Sequence, residues 1–186
     1  MSSRYKVHDD QLPHFLTFTV VGWVDALSRE MYKEIICNSL LYCTKEKGVL
    51  LHGWVIMNNH LHLIVSMDVA YKMGDFVRDF KKFTSKKIIE AIDNNMQESR
   101  RAWMINMFEY AGRNKSTNNK EYQFWQHDYH PVVLDTEEKV CQRLNYLHQN
   151  PVRAGIVWQA EHYKYSSATD YLFDIKGLLP LSMLQV

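Results

Sequence analysis

Two apolar, β-branched runs separated by a pair of asparagines constrain the fold more than any other feature of the chain. Val49 to Met57 and His60 to Met67 each have the composition of a strand, and Asn58-Asn59 lies between them. Asparagine tolerates positive φ better than most residues, so a two-residue turn is favoured there. The two runs are therefore predicted to form an antiparallel hairpin.

The flanking segments predict a βαββαβ order followed by an additional helix. The predicted elements are a strand from His14 to Trp23, a helix from Ser28 to about Lys47 ended by Gly48, the hairpin, a helix from Tyr71 to about Asn94, a strand from Phe124 to Leu134, and a helix from Asp135 to about Asn150 stopped by Pro151. Residues 95–121 have no readable period, and their GRNKSTNNK stretch is predicted as a polar loop. The order indicates an α+β, ferredoxin-like antiparallel sheet with two helices on one face. The opposite face is either open or covered by the additional C-terminal helix. We expect one domain over 1–186, with a core at 12–150 and a tail at 151–186.

Composition excludes several classes of protein. No apolar run approaches the roughly 18 residues of a membrane span, and MSSRYKVHDD has no apolar signal-peptide core. Cys37, Cys43 and Cys141 form no pair with metal-ligand spacing, which favours reduced thiols. We therefore expect a cytoplasmic protein without a membrane partner.

Charge is unevenly distributed along the chain. The formal net charge is +1, but residues 71–90 carry six basic against three acidic side chains, and residues 97–120 carry five against two. Phosphate binding needs a local basic surface and not a basic whole. The alternative is that these lysines and arginines only solvate exposed helix faces.

Two histidines share one face of the second hairpin strand. Side chains alternate along a strand, so Leu61 and Leu63 point to the face opposite His60 and His62. Two imidazoles two residues apart can bind one divalent ion, although weakly without a third ligand. The alternative is a pair of half-exposed histidines on a sheet surface.

The helix after Asp135 offers such a ligand. Tyr146 and Asn150 stand four residues apart and therefore lie on one helix face. A core stripe of Val140, Leu144 and Leu147 is separate from a polar stripe of Lys139, Arg143, Tyr146 and Asn150. A tyrosine beside an amide and two cations is a plausible nucleophile for a phosphate. The alternative is an interfacial tyrosine and a helix-ending asparagine.

Taken together, these segments resemble the single-tyrosine HUH transposases, of the IS200-like and REP-associated kind. The similarity covers most of the chain and rests on six segments, which read FLTFTVVGWVD, VIMNNHLHLIV, DFVRDFKKFTSKK, FWQHDYHPVVL, LNYLHQNPVRAGIV and YSSATDY. The His-x-His strand combined with a downstream Asn-Pro-Val-Arg-Ala-Gly helix end is the specific part. Asn58 stands where many relatives have proline, which a turn accommodates.

The resemblance implies a site and a reaction. His60, His62 and Asn150 correspond to metal ligands for Mg²⁺ or Mn²⁺, and Tyr146 to the nucleophile that forms a 5′-phosphotyrosine link. Tyr129 is an alternative candidate for the nucleophile, but the residue four positions after it is Val133, which cannot bind a metal ion as Asn150 could. The substrate implied is single-stranded DNA with a nearby hairpin, processed by a monomer or a homodimer. The residues expected to contact DNA are Arg78, Lys81, Lys82, Lys86, Lys87, Lys139, Arg143 and Arg153.

Three other functions remain open from the residues alone. One is a catalytically degenerate relative that binds DNA hairpins without cutting them. Another is an RNA-recognition-like sheet, which would expose aromatic residues where this strand has His60 and His62. The third is a metal-dependent hydrolase, which would normally supply carboxylate ligands. Tyr146→Phe separates these functions, since only a transposase would lose both cleavage and a covalent adduct.

Overall fold

A four-stranded antiparallel sheet with helices on both faces forms the core of the protein. The computed structural model describes residues 9–113, 122–127, 130–173 and 175–184. Its elements are β1 (His14–Thr19), α1 (Glu30–Glu46), β2 (Val49–Ile56), β3 (His60–Met67), α2 (Met73–Asn94), α3 (Arg101–Arg113), β4 (Val132–Val133), α4 (Glu137–Arg153) and α5 (Ala168–Phe173). Among the described residues, no helix combines the length and apolar character that crossing a membrane would require.

The strand order is β2-β3-β1-β4, with antiparallel neighbours throughout. This is the order of a ferredoxin-like sheet, so the predicted fold class is confirmed. The hairpin has the predicted register, since Val55 lies opposite His62 and the Met57 N–H donates to the His60 carbonyl at 2.8 Å.

Alternation along the strands gives the two faces different partners. Phe18 of β1 contacts Phe80 of α2, with ring centroids 5.4 Å apart. Helix α1 packs against α2 and also contacts β2. Both helices therefore cover the face of the sheet to which Phe18 points. Thr17 and His62 are paired on the other face, and α4 packs there over β2. The additional helix therefore covers the second face, which places α4 directly over the histidine pair.

Two predicted strands are shorter than expected. β1 was expected to reach Trp23 but ends at Thr19, because Gly22 and Trp23 turn the chain with positive φ values of 63° and 56°. Within the described part of the predicted strand from Phe124 to Leu134, which lacks residues 128 and 129, only Val132–Val133 form a strand, and Trp125 makes an isolated bridge to Val20.

The helix ends also differ from expectation. The Ser28 hydroxyl does not cap α1 but accepts a hydrogen bond from Arg100 at 2.8 Å. Thr136, and not Asp135, is the N-cap of α4 and accepts from the Lys139 N–H at 3.3 Å. α4 also continues through Pro151 to Arg153, since a proline in the last turn forfeits a single intrahelical hydrogen bond.

Helix α3 was not predicted. It buries Met104 and Phe108, four residues apart, against the rest of the core. The buried Glu98 organises its start by accepting hydrogen bonds from Arg29 at 2.6 Å and from Arg100 at 3.1 Å. Methionine and aromatic residues also lie on its exposed side, which hid the helical period in the sequence.

Candidate active site

The β2–β3 hairpin holds two imidazoles side by side. The ring centroids of His60 and His62 are 4.8 Å apart, with an interplanar angle of 68°. The turn before them is held by residues outside the hairpin. The Leu27 N–H donates to the Asn58 carbonyl and the Val20 N–H donates to the Asn59 carbonyl, both at 2.8 Å. Backbone contacts to neighbouring segments therefore help to position the pair.

Each histidine has a hydrogen bond at Nδ1. The Asn59 Oδ1 accepts from His60 Nδ1 at 2.7 Å, and Thr17 Oγ1 lies 2.8 Å from His62 Nδ1. An amide oxygen only accepts, so Nδ1 of His60 carries the proton and its Nε2 is the nitrogen that can bind a metal ion. The Nε2 atom of His62 is buried and has no hydrogen-bond partner in the described part of the chain. Such contacts orient metal-binding histidines in proteins.

Both imidazoles are held in the neutral form. Burial, then the neighbouring His60 and Arg143, lower the pKa of His62 from 6.5 to about 3. Burial also lowers the pKa of His60, and a hydrogen bond between its ring and the Asn150 side chain opposes this shift. Neutral imidazole is the form that binds metal ions, so the pair is ready for a cation at neutral pH.

Helix α4 brings Tyr146 against this pair. The Tyr146 ring lies 5.5 Å from the His62 ring and 6.0 Å from Phe15. The buried Leu144 and Leu147 dock the helix on β2. At Gly53 of that strand, a Cβ would lie 2.8 Å from Leu144 Cδ2. The absence of a side chain there lets α4 approach the sheet closely.

Two guanidinium groups flank the tyrosine. The Cζ atoms of Arg143 and Arg153 lie 6.0 Å and 5.4 Å from the centre of the Tyr146 ring, and Arg143 also lies 5.1 Å from that of Phe15. Arginine presents a planar set of donors that matches phosphate oxygens. The surroundings of Tyr146 are therefore suited to an anionic substrate.

The donor set fits a divalent cation. Among the described residues, no group of three His, Cys, Asp or Glu side chains could hold a metal ion, so a third ligand from this part of the chain would be another residue type. Asn150 hydrogen-bonds His60 through its side chain, and its Nδ2 donates to the Tyr146 carbonyl at 3.3 Å. Two imidazole nitrogens and one amide oxygen suit Mn²⁺, and Mg²⁺ less well. The unpartnered Nε2 of His62 is the observation that supports this fit.

The other basic residues predicted to contact DNA lie apart from Tyr146. Lys139 pairs with Asp135 at 2.6 Å near the start of α4. The remaining five are on α2, across the sheet from His62: Arg78, Lys81, Lys82, Lys86 and Lys87. Of these, Arg78 pairs with Asp75 and Asp79, and Lys81 donates to the Gln126 carbonyl at 2.8 Å. Their role in DNA binding stays a prediction.

Two residues of the site were not singled out from the sequence. Thr17 acquires its role from the register of β1 against β3, which sequence spacing does not reveal. Asn59 was predicted only as a turn residue, although its place directly before His60 is a signal that could have pointed to a contact. The rival tyrosine, Tyr129, lies outside the described residues.

Two solved structures are similar to this chain. The structure of a REP-associated tyrosine transposase bound to a REP hairpin matches with a TM-score of 0.65 and 13% identity, covering 100% of this chain and 94% of that chain. A putative transposase from Deinococcus radiodurans R1 matches with a TM-score of 0.45 and 16% identity, covering 80% of this chain and 96% of that chain. No curated protein matches the sequence.

The first of these likenesses concerns the fold. A sequence match concerns the family, because residues 23–111, which contain the β2–β3 hairpin with its two histidines, match the family model described as "Transposase IS200 like". This part of the chain is therefore similar to the IS200-like transposases, which supports a DNA-processing enzyme.

Proposed function

We propose that the protein cleaves and rejoins single-stranded DNA near hairpins, with Tyr146 as the nucleophile. The observation that carries this proposal is the 5.5 Å separation between the Tyr146 ring and the ring of His62, whose Nε2 is buried and unpartnered. A phenol and an available imidazole nitrogen at this range can act on the same phosphate.

The proposed reaction is a transesterification. The Tyr146 oxygen attacks phosphorus and forms a 5′-phosphotyrosine bond while the bond from phosphorus to the 3′-oxygen breaks. The phenol loses its proton, and the leaving oxygen becomes a 3′-hydroxyl. In the reverse direction a 3′-hydroxyl attacks the link and releases the tyrosine. One phosphodiester is exchanged for another in each step, so no ATP is required.

Each nearby side chain has a distinct part in this proposal. His60, His62 and Asn150 would hold Mg²⁺ or Mn²⁺, which supplies charge stabilisation at the scissile phosphate. Arg143 and Arg153, whose guanidinium groups lie within about 6 Å of the tyrosine ring, bind non-bridging oxygens of the same phosphate. Thr17 and Asn59 keep the imidazoles in the orientation that leaves Nε2 available.

A single copy of the chain is proposed to be sufficient for activity. Tyr146 and His62 meet within one protomer, so no exchange of α4 between subunits is needed. The hairpin preference is supported by the similar structure described as bound to a REP hairpin. A tyrosine on a helix that packs over a sheet can attack only a DNA strand whose backbone is accessible to it, which favours unpaired DNA.

The test is covalent capture. Hairpin oligonucleotides with randomised single-stranded flanks and a label at the 3′ end, which stays with the 5′-phosphotyrosine fragment, are incubated with Mn²⁺, and products are separated on a denaturing gel. The unaltered protein is expected to form a DNA–protein adduct that Tyr146→Phe abolishes. Tyr42→Phe, on the exposed side of α1, is the matched control and keeps the adduct.

Each alternative has its own signature in this assay. Nicking without an adduct, retained in Tyr146→Phe, would identify a hydrolase and contradict the proposal. Hairpin binding without any nick would identify a DNA-binding relative that has lost catalysis. His62→Ala is expected to abolish the adduct while preserving the fold.

A further inference from the structure

An exposed tryptophan stands next to the histidine pair. The side chain of Trp23 is 63% exposed, and its ring centroid lies 6.3 Å from that of His60. Asn59 connects the two residues, since its Nδ2 donates to the Trp23 carbonyl at 3.4 Å while its Oδ1 accepts from His60 Nδ1 at 2.7 Å. The position of Trp23 is thus tied to that of the imidazole.

The backbone of Trp23 is strained. Within the described ranges it is the only residue other than glycine with a positive φ, at 56°, and it directly follows Gly22 at 63°. This left-handed region is unfavourable for a bulky side chain, whereas glycine or asparagine adopts it readily. Core packing does not explain the strain, because most of the side chain is in solvent. Strain that presents a side chain beside a reactive site indicates use of that side chain.

Further aromatic residues continue from this point along α3. A Cβ at Gly22 would lie 3.2 Å from Met107 Cε, so this face of α3 borders the turn. Trp103 and Tyr110 are four residues before and three after Met107, which places them on the same helix face. They are 52% and 67% exposed. Two exposed aromatic side chains therefore share the helix face that borders the turn of Trp23.

We propose that Trp23 is the stacking platform for an unpaired DNA base adjacent to the phosphate that Tyr146 attacks. This inference rests on the proposed function and assigns a nucleotide subsite to it. Every base has a π-face, so stacking on an aromatic ring tolerates any sequence and favours single strands. Stacking next to the site orients the scissile phosphate, and the Trp103–Tyr110 face provides a path for the following bases.

Binding of single-stranded DNA tests the inference without any cleavage. A fluorescein-labelled strand of about 12 nucleotides is titrated in EDTA, and fluorescence anisotropy gives the Kd. Trp23→Gly is expected to raise the Kd about 5- to 150-fold, the range that corresponds to the stacking of one base. Trp23→Phe retains an aromatic face and is expected to recover most of the affinity. Tyr42→Ala removes an aromatic residue of similar exposure, 55%, from α1 and is expected to leave the Kd unchanged.

A second measurement separates stacking from a structural effect. Trp23→Gly suits the left-handed backbone, so its Tm is expected to equal or exceed that of the unaltered protein although its affinity falls. Abasic nucleotides are then introduced one at a time into the strand. One position is expected to weaken binding to the unaltered protein and to have no effect on Trp23→Gly.

The inference is overturned if Trp23→Gly binds within about twofold of the unaltered protein, or if Trp23→Phe binds no better than Trp23→Gly. It is equally overturned if abasic effects are the same in both proteins. The covalent assay on Tyr146 gives an independent answer. A protein that depends on Trp23 for binding but forms no adduct refutes the nucleophile alone, whereas adduct formation without dependence on Trp23 refutes the stacking platform alone.

Discussion

Two cavity variants on opposite faces of the sheet test how α4 positions the tyrosine. Leu147 of α4 and Leu40 of α1 are both fully buried at 0% exposure. Leu147 packs against β2, with its Cδ1 atom 3.7 Å from where a Cβ of Gly53 would lie. Replacing either leucine by alanine removes the same atoms, and each is expected to destabilise the protein by about 3 kcal/mol. For a chain of this length that lowers the Tm by about 6–12 °C.

The two variants are expected to differ in activity although they lose the same stability. Leu147→Ala lets α4 shift relative to His62, and a displacement of about 1 Å can cost up to about 100-fold in rate. We therefore expect the rate of adduct formation to fall at least about tenfold in Leu147→Ala and to stay within about twofold in Leu40→Ala. Rates are measured well below both Tm values. Equal losses in the two variants would show that docking of α4 on this face does not position the nucleophile.

Three further outcomes follow from buried polar groups. Glu98→Gln is expected to lower the free energy of unfolding by about 2 kcal/mol, measured by urea unfolding, because the side chain of Glu98 has no exposed surface and its carboxylate accepts hydrogen bonds from Arg29 and Arg100. A loss below about 0.5 kcal/mol would refute this. Burial lowers the pKa of His148 from 6.5 to about 4, so the unfolded chain binds the proton at a higher pH than the folded protein does. The stability that neutral His148 contributes is therefore fully present above pH 6.5 and is lost as the pH falls toward 4. At pH 5 this lowers the free energy of unfolding by about 2 kcal/mol. Between pH 7.5 and pH 5, the free energy of unfolding of His148→Gln is therefore expected to fall by about 2 kcal/mol less than that of the unaltered protein, and an equal fall in both would contradict the assignment. Thr17→Val removes the hydrogen bond to Nδ1 of His62 and is expected to weaken Mn²⁺ binding about 10- to 100-fold by calorimetry, whereas unchanged affinity would argue against this orienting role.

Local patterns in the sequence predicted much of the fold. The Asn58-Asn59 turn between two β-branched runs was sufficient for the hairpin and its register. Alternation within β3 then placed the two histidines on one face. Helical spacing in α4 correctly separated the buried Val140, Leu144 and Leu147 from the stripe that carries Tyr146 and Asn150. In each case the structure is determined by neighbours within a few residues.

The features that could not be predicted depend on contacts between distant segments. Ser28 was expected to cap α1, but Arg100, 72 residues later, takes its hydroxyl. The left-handed turn at Trp23 is held from outside, by Asn59 in the next hairpin. The 5.5 Å approach of Tyr146 to His62 requires α4 to pack on the face opposite α1 and α2, and the sequence left that face either open or covered. The catalytic and metal-binding roles of these residues stay predictions until they are tested.

Mass spectrometry of the covalent complex is the most direct test of the central claim. After reaction with a hairpin oligonucleotide and Mn²⁺, the adduct is digested with protease and nuclease, and the modified peptide is sequenced. A nucleotide joined through its 5′-phosphate to Tyr146 is the predicted result. Attachment at Tyr129 or at any other residue, or a cleaved strand with no attached peptide, would contradict the account.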